Sequence, residues 1–113
     1  MQPNSVVHAV ALDLEHEPVP AAQSGAGDPT TGAVSVDDFA GLDVGVWEMS
    51  VGVMTDVEAD ELFVVLSGSA TVEFADDSPA ISIRAGDVVR LAEGAETVWT
   101  VTETLRKVYL TRA

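Results

Sequence analysis

The sequence predicts an all-β fold, either a double-sheet jelly roll or a small barrel, and three observations support this prediction. Hydrophobic residues make up 47% of the chain, with abundant β-branched residues and abundant Gly, Pro, Asp and Ser. Short apolar segments of strand length recur from Val44 onward, separated by turn residues. No segment has the apolar pattern of a helix of three turns. Such regularly spaced short strands are typical of jelly rolls and small barrels.

Residues 1–43 are predicted to form an N-terminal arm that belongs to the same domain. The segment from Val6 to Leu12 is a candidate edge strand, and a long irregular stretch rich in Pro and Gly follows it. An arm of this kind covers an exposed strand edge or wraps a neighbouring subunit. Simple disorder is the alternative, because residues 21–27 are rich in Ala, Gly and Ser.

Residues 44–113 are predicted to form the barrel itself. Gly68 directly follows one apolar strand and precedes another, so we expect it to form a tight turn between two paired strands. Gly86 and Gly94 bracket a short strand in the same way. The candidate strands cover residues 44–50, 51–54, 61–67, 69–74, 80–84, 88–91, 96–104 and 107–111.

Length and composition limit the classes of function. A chain of 113 residues is long enough for one domain and too short for two. The absence of cysteine excludes disulfides, thiolate metal sites and a cysteine nucleophile. A net charge of −14 should repel nucleic acid and anionic membranes, and it indicates either high solubility or an acidic surface for a basic partner. No signal peptide or membrane-spanning pattern is visible, so we expect a cytoplasmic protein.

Two glycine-containing motifs resemble the paired motifs of a cupin. The first is Glu61-Leu62-Phe63-Val64-Val65-Leu66-Ser67-Gly68, and the second begins at Gly86-Asp87 and ends at Ala92-Glu93-Gly94. Over residues 44–112 the chain is similar to small single-domain cupins related to ureidoglycine aminohydrolase and the ethanolamine-utilisation cupin. The further residues of this resemblance are Val46-Trp47-Glu48, Glu58-Ala59-Asp60, Ala85, Val88-Val89, Thr97-Val98-Trp99 and Arg106-Lys107-Val108-Tyr109.

The resemblance implies a jelly-roll β-barrel that is usually a homodimer and has a pocket inside the barrel mouth. It does not imply one reaction, because this fold hosts many unrelated functions.

The resemblance also indicates where a metal would bind, and the histidine ligands of metal-binding cupins are missing. Thr55 and Val57 stand where the first histidine pair is expected, Thr97 replaces the third histidine, and Glu61 alone remains. We therefore expect no transition metal and no cofactor. An oxygen-only site made by Glu61 with Asp56, Glu58 or Asp60 could hold calcium or magnesium weakly. His8 and His16 lie in the arm and are not expected to be ligands.

Strand alternation predicts which side chains share the interior. If Glu61 points inward, so does Phe63, and if Thr97 points inward, so does Trp99. Lys107 and Tyr109 share one face of the last strand, but alternation alone leaves open whether that face is the inner one. An inward Lys107 could neutralise Glu61, whose charge is costly in an apolar barrel unless it is paired.

Two groups of residues also have a structural interpretation that involves no ligand. Trp47 and Trp99 either fill the core or form pocket walls that stack on a ligand. The run from Asp56 to Asp60 is expected to be a solvated turn at the barrel rim.

The leading hypothesis is a metal-free cupin that binds a small molecule in a pocket lined by Trp47, Glu61, Phe63, Thr97 and Trp99, with Lys107 and Tyr109 as further members if they face inward. The first alternative is an enzyme in which Glu61 is the general acid or base, with Lys107 or Tyr109 as its partner, acting on a ureido-type or sugar metabolite. The second alternative is a dimerisation module with a filled barrel.

Overall fold

The computed structural model describes residues 1–112, and within this range every regular element is a β-strand. The predicted all-β fold is therefore confirmed. Among these residues there is no helix of the length and apolarity needed to cross a membrane. The strands are β1 (Glu17–Pro18), β2 (Thr30–Phe39), β3 (Leu42–Met49), β4 (Gly52–Val57), β5 (Glu61–Phe74), β6 (Ile81–Arg84), β7 (Val88–Leu91) and β8 (Glu96–Arg112).

Two long strands, β5 and β8, pair with each other along most of their length and organise the whole fold. The C-terminal half of β8 pairs with β3, and its N-terminal half pairs with β4. Similarly, the first residues of β5 pair with β7, and residues after the strand's midpoint pair with β6. Each long strand thus belongs to both layers of the barrel. The sequence predicted two short strands in place of each, and that prediction is wrong.

Gly68 explains why β5 is continuous. It lies inside the strand with φ +88°, at a register irregularity opposite β8. Before this β-bulge the buried side chains have odd numbers, Phe63 and Val65, and after it they have even numbers, Ala70 and Val72. A bulge inserts one extra residue and so changes which residues face inward. The predicted turn at Gly68 is wrong, although the need for a glycine there is real.

The N-terminal segment differs from the sequence interpretation in its strand content. Residues 6–12 form no strand, whereas β2 is a ten-residue strand within the stretch predicted to be irregular. Arg106 holds the segment against the barrel by donating hydrogen bonds to the carbonyls of Ala9 and Leu12, at 2.8 and 2.6 Å. The division into an arm over residues 1–43 and a barrel over residues 44–113 stays a prediction.

The core fills most of the space between the two layers. Its largest fully buried side chains include Trp99, Phe63, Met49, Leu91 and Leu105. Burial of large apolar side chains of this kind contributes about 1.5–3 kcal/mol each. The packing is incomplete at one end of the barrel, where charged side chains and a cavity replace the apolar core.

Candidate functional site

A cavity of about 270 Å³ lies at this end of the barrel. Trp47 and Trp99 form aromatic walls, with ring centroids 5.7 Å apart and planes inclined at 55°. Its remaining lining residues are Ala33, Met54, Asp56, Val57, Glu58, Ala59, Glu61, Lys107, Tyr109 and Thr111. At roughly 30 Å³ per water molecule in the liquid, the cavity has room for about nine water-sized groups.

Lys107 points into the barrel and is only 5% exposed. Its ammonium donates a hydrogen bond to Glu61 Oε2 at 3.1 Å. The ammonium also lies over three aromatic rings, 4.5 Å from the centroid of Trp47, 4.2 Å from that of Phe63 and 5.0 Å from that of Trp99. Aromatic faces attract a cation, and the carboxylate pairs with it, so the lysine charge is stabilised inside the barrel.

Glu58 is a buried acid that the sequence interpretation placed wrongly. It is only 7% exposed, whereas the run from Asp56 to Asp60 was predicted to be a solvated turn. Thr97 Oγ1 and Trp99 Nε1 donate hydrogen bonds to Glu58 Oε2, at 2.6 and 3.0 Å. These two neutral donors orient the carboxylate toward the interior without neutralising it.

The register of β4 corrects the expected ligand positions. Thr55 and Val57 face outward, and Val57 is 64% exposed. The inward side of β4 and the following turn instead bears Met54, Asp56 and Glu58. Strand alternation continued to the end of β4 would have predicted that Asp56 and Glu58 face inward. The predicted strand ended at Met54, so the alternation was not applied to these residues.

Asp56 lies between two cavities, because it also lines an open depression of about 610 Å³ on the outside of β4. Burial raises the pKa of Asp56, and the nearby charge of Glu58 raises it further. Asp56 Oδ1 accepts a hydrogen bond from the backbone N–H of Val57 at 2.9 Å. The side chain therefore holds a charge that its surroundings disfavour.

Tyr109 lies on the same inner face of β8 as Lys107 and also lines the cavity. Its hydroxyl donates a 3.4 Å hydrogen bond to Asp43 Oδ2. Gly45 makes room for this ring, since a Cβ at that position would overlap the tyrosine hydroxyl. Burial raises the pKa of Tyr109, so the phenol stays protonated at neutral pH and is a hydrogen-bond donor.

The predicted site residues are distributed as follows. Trp47, Glu61, Trp99, Lys107 and Tyr109 line one cavity. Phe63 is fully buried behind the lysine ammonium, and Thr97 is buried beside Glu58 and lines the outer depression. Asp56 and Glu58 are additional lining residues that the sequence interpretation did not assign to the pocket.

The donor set does not fit a transition metal. Glu61 is paired with an ammonium ion, Thr97 donates its hydroxyl proton to Glu58, and Met54 lies at an inward position. Within residues 1–112 no three His, Cys, Asp or Glu side chains are grouped so that they could hold a metal ion. A metal ion held by Glu61 would also be repelled at close range by the Lys107 ammonium, which is hydrogen-bonded to that carboxylate. No chemical step is therefore assigned to a metal here.

The barrel and its interior cavity define a small cupin with jelly-roll architecture. Residues 40–109 match the family model of the EutQ-like cupin domain. The chain belongs to this family.

Solved structures share the fold. A protein of unknown function from the DUF861 family of Pseudomonas syringae pv. tomato is 23% identical, with a TM-score of 0.75; the match covers 90% of this chain and 45% of that one. The present chain thus spans less than half of that protein. The Clostridium difficile EutQ protein is 17% identical, with a TM-score of 0.65, covering 85% and 79% of the two chains.

A cupin superfamily protein from Desulfitobacterium hafniense is 11% identical, with a TM-score of 0.66, covering 99% and 93% of the two chains. No curated protein matches the chain significantly. At these identities the structural likeness supports the fold and not a specific ligand.

Proposed function

We propose that this protein binds a small molecule in the barrel cavity without a transition metal, and that Lys107 is the main polar contact. The single observation that supports this proposal is the hydrogen-bond status of the lysine ammonium. An ammonium group has three N–H donors. Among residues 1–112 only Glu61 accepts a hydrogen bond from it. The other donors face aromatic rings and the cavity without a hydrogen-bond acceptor in this part of the chain, and an oxygen atom of a ligand would supply one.

The size and walls of the cavity are consistent with this function. Small-molecule sites are concave, mostly apolar and contain a few well-placed polar groups. Here two indole rings form the walls, and Lys107, Glu61 and Tyr109 are polar groups at the surface of a 270 Å³ cavity. Its volume is slightly below the roughly 300–1,000 Å³ of pockets for drug-sized ligands, which favours a small ligand. The cavity lies beside both tryptophans, whereas the filled-barrel alternative requires that no cavity remain there.

The test is a thermal-shift screen of EDTA-treated protein against polar metabolites of up to about ten non-hydrogen atoms, followed by calorimetry of each hit. We expect Lys107→Met to weaken binding at least tenfold. Because this variant leaves Glu61 unpaired, the double variant Lys107→Met, Glu61→Gln serves as a better-folded equivalent. Val51→Ala, at an exposed position outside the cavity, is the control and should bind normally. Unchanged affinity in both Lys107 variants would refute the proposal.

Acid–base catalysis by Glu61 is a second candidate, favoured by its 3.1 Å contact with a proton donor inside a cavity. Under this alternative, a bound metabolite is converted to product by the wild type and remains unchanged with Glu61→Gln. Recovery of every bound hit unaltered after long incubation with the wild type would eliminate catalysis of those compounds and leave binding as the function.

A further inference from the structure

The charges around the cavity do not balance. Three carboxylates, those of Asp56, Glu58 and Glu61, line it together with one basic side chain, Lys107. Lys107 is paired with Glu61. Within residues 1–112 no Lys, Arg or His forms a salt bridge with Asp56 or Glu58. Two acids therefore line a partly open cavity without a salt-bridge partner among these residues.

The geometry of Glu58 leaves one of its oxygens unused. Both of its hydrogen-bond donors, Thr97 and Trp99, reach the same atom, Oε2. No protein group in the described residues donates to Oε1. Glu58 is only 7% exposed, but no fully buried side-chain oxygen or nitrogen in the described residues lacks a partner, so Oε1 is accessible to water or to a donor of a ligand.

Asp56 has the same incomplete environment. Its Oδ1 accepts the bond from Val57 and a longer one, at 3.4 Å, from Gln23 Nε2. Its Oδ2 accepts none within residues 1–112. Because burial and the nearby charge of Glu58 raise the pKa of Asp56, a cation placed between the two carboxylates and the cavity would relieve this repulsion.

From these observations we infer that the natural ligand is a small organic cation, a primary amine or an amidine, whose charge is bound by Asp56 and Glu58. Such a ligand supplies N–H donors to the unused carboxylate oxygens. The indole rings of Trp47 and Trp99, which already contact the Lys107 ammonium, pack against the alkyl part of the ligand. An oxygen at the other end of the ligand accepts from Lys107. This inference rests on the proposed function and specifies its ligand class.

Three probes with the same three-carbon skeleton test the charge preference: 3-aminopropan-1-ol, propane-1,3-diol and 3-hydroxypropanoate. The indole N–H signals are suitable reporters, since the chain has only two tryptophans and Trp99 Nε1 donates to Glu58. In ¹H–¹⁵N NMR titrations we expect the amine to shift the Trp99 signal with saturation. The diol and the carboxylate should bind at least tenfold more weakly.

Charge-removing variants locate the site. Asp56→Asn and Glu58→Gln should each weaken amine binding at least tenfold, whereas Asp13→Asn, which removes the same charge from an exposed position, should not. Asp56→Asn is the safer test because it removes a disfavoured charge and should leave the fold intact. No saturation by the amine at tens of millimolar overturns the inference, and so does amine binding that neither variant weakens.

These outcomes separate the two proposals. If the diol or the carboxylate binds with dependence on Lys107 while the amine does not, the ligand class is wrong and the proposed binding function is supported. If Lys107→Met leaves amine binding unchanged while Asp56→Asn abolishes it, the inferred cation site is supported and the assigned role of Lys107 is wrong.

Discussion

Lys107 and Glu61 form an ion pair whose contribution to stability depends on both partners being present. Removing one partner of a buried ion pair leaves an unpaired charge and costs about 3–5 kcal/mol, whereas removing both is often close to neutral. The side chains are 6% and 13% exposed, so partial solvation should reduce the cost. We expect Lys107→Met to lower the free energy of unfolding by about 2–4 kcal/mol. Urea denaturation at neutral pH measures this.

The double variant completes the thermodynamic cycle. Lys107→Met combined with Glu61→Gln should be more stable than Lys107→Met alone, because the unpaired carboxylate is gone. If the effects of the two single substitutions simply add, the side chains are not coupled and the pair does not organise the cavity.

At this scale the sequence grouped residues that line one cavity, and their role as a binding site stays a prediction. Alternation around Glu61 and Trp99 was sufficient because both lie in long, strongly patterned strands. Alternation could not settle the orientation of Lys107, since both faces of the last strand contain large apolar residues. Glu58 was missed for a different reason: it follows a short strand whose end was placed three residues too early, and acidic residues after a strand are ordinarily solvated.

Among the elements, β5 depends most on one backbone position. Gly68 combines φ +88° with a close approach to the backbone of Glu103 and Thr104, so a Cβ there would overlap the Thr104 carbonyl. Gly68→Ala should therefore destabilise the protein by about 2–4 kcal/mol, since it adds a clash in a packed strand to the strain of a left-handed backbone. Thermal and urea unfolding measure the loss.

Gly86 provides a matched control for that substitution. Its φ is +94°, but a Cβ there would meet no atom within 4 Å. Gly86→Ala should thus cost only the backbone strain, about 1 kcal/mol. Equal losses of unfolding free energy in the two variants would show that the close approach of Gly68 to the Thr104 carbonyl adds nothing to the cost. The sequence indicated a special glycine at position 68, but a glycine after an apolar strand predicts a turn more readily than a bulge within a longer strand.

The N-terminal segment is joined to the barrel by a polar network around Glu48. Arg106 Nε and His16 Nε2 contact its two carboxylate oxygens at 2.8 and 2.7 Å. Burial alone would raise the pKa of Glu48, but the hydrogen bonds from Arg106 and His16 outweigh it and hold the pKa below its ordinary value of 4.5. A lowered pKa means that Glu48 stabilises the fold above pH 4.5 and loses this contribution as the pH falls below it.

The pH dependence of Glu48→Gln tests this network. Wild type should exceed the variant in stability by about 1–2 kcal/mol at pH 6, and the difference should shrink as the pH falls from 4.5 toward 3. Subtracting the stability of the variant from that of the wild type at each pH removes the effect of protonating the chain's other acidic groups. The exposed Glu17→Gln should show no such pH-dependent difference. A constant gap across this pH range is the contrary result.

For the whole molecule, a row of apolar side chains on the outer sheet surface is relevant to the predicted homodimer. Registered pairs place five valines in one row across five strands: Val34, Val46, Val108, Val64 and Val88. The row includes no charge, although the chain has a net charge of −14. Val46 is only 1% exposed, so the exposed residues of the row are Val34 at one end, 39% exposed, and Val88 at the other, 66% exposed. Copies with the same large net charge repel each other. An apolar surface without charges is therefore where two copies can pack together.

We therefore expect a homodimer in which the β5–β7 end of this row is buried. Analytical ultracentrifugation at physiological salt should give twice the chain mass of 11.8 kDa. Val88→Lys should shift the protein to monomer, whereas Val51→Lys, at an exposed position outside the row, should not. A monomeric wild type, or a dimer insensitive to Val88→Lys, contradicts this assignment.

At the scale of the fold, motif spacing was sufficient to predict the family, because glycine and apolar positions report backbone geometry directly. The ligand could not be predicted in the same way, because it depends on the balance of three carboxylates and one ammonium that only the folded barrel brings together.

We predict that the cation inside this barrel is the Lys107 ammonium and not a metal ion. The direct test is elemental analysis of untagged protein after incubation with excess zinc, manganese and iron salts and removal of free metal by gel filtration. We predict well below one equivalent of any of these metals per chain, with no change in Glu61→Gln. Retention of one equivalent that is lost on replacing Glu61 would contradict the claim.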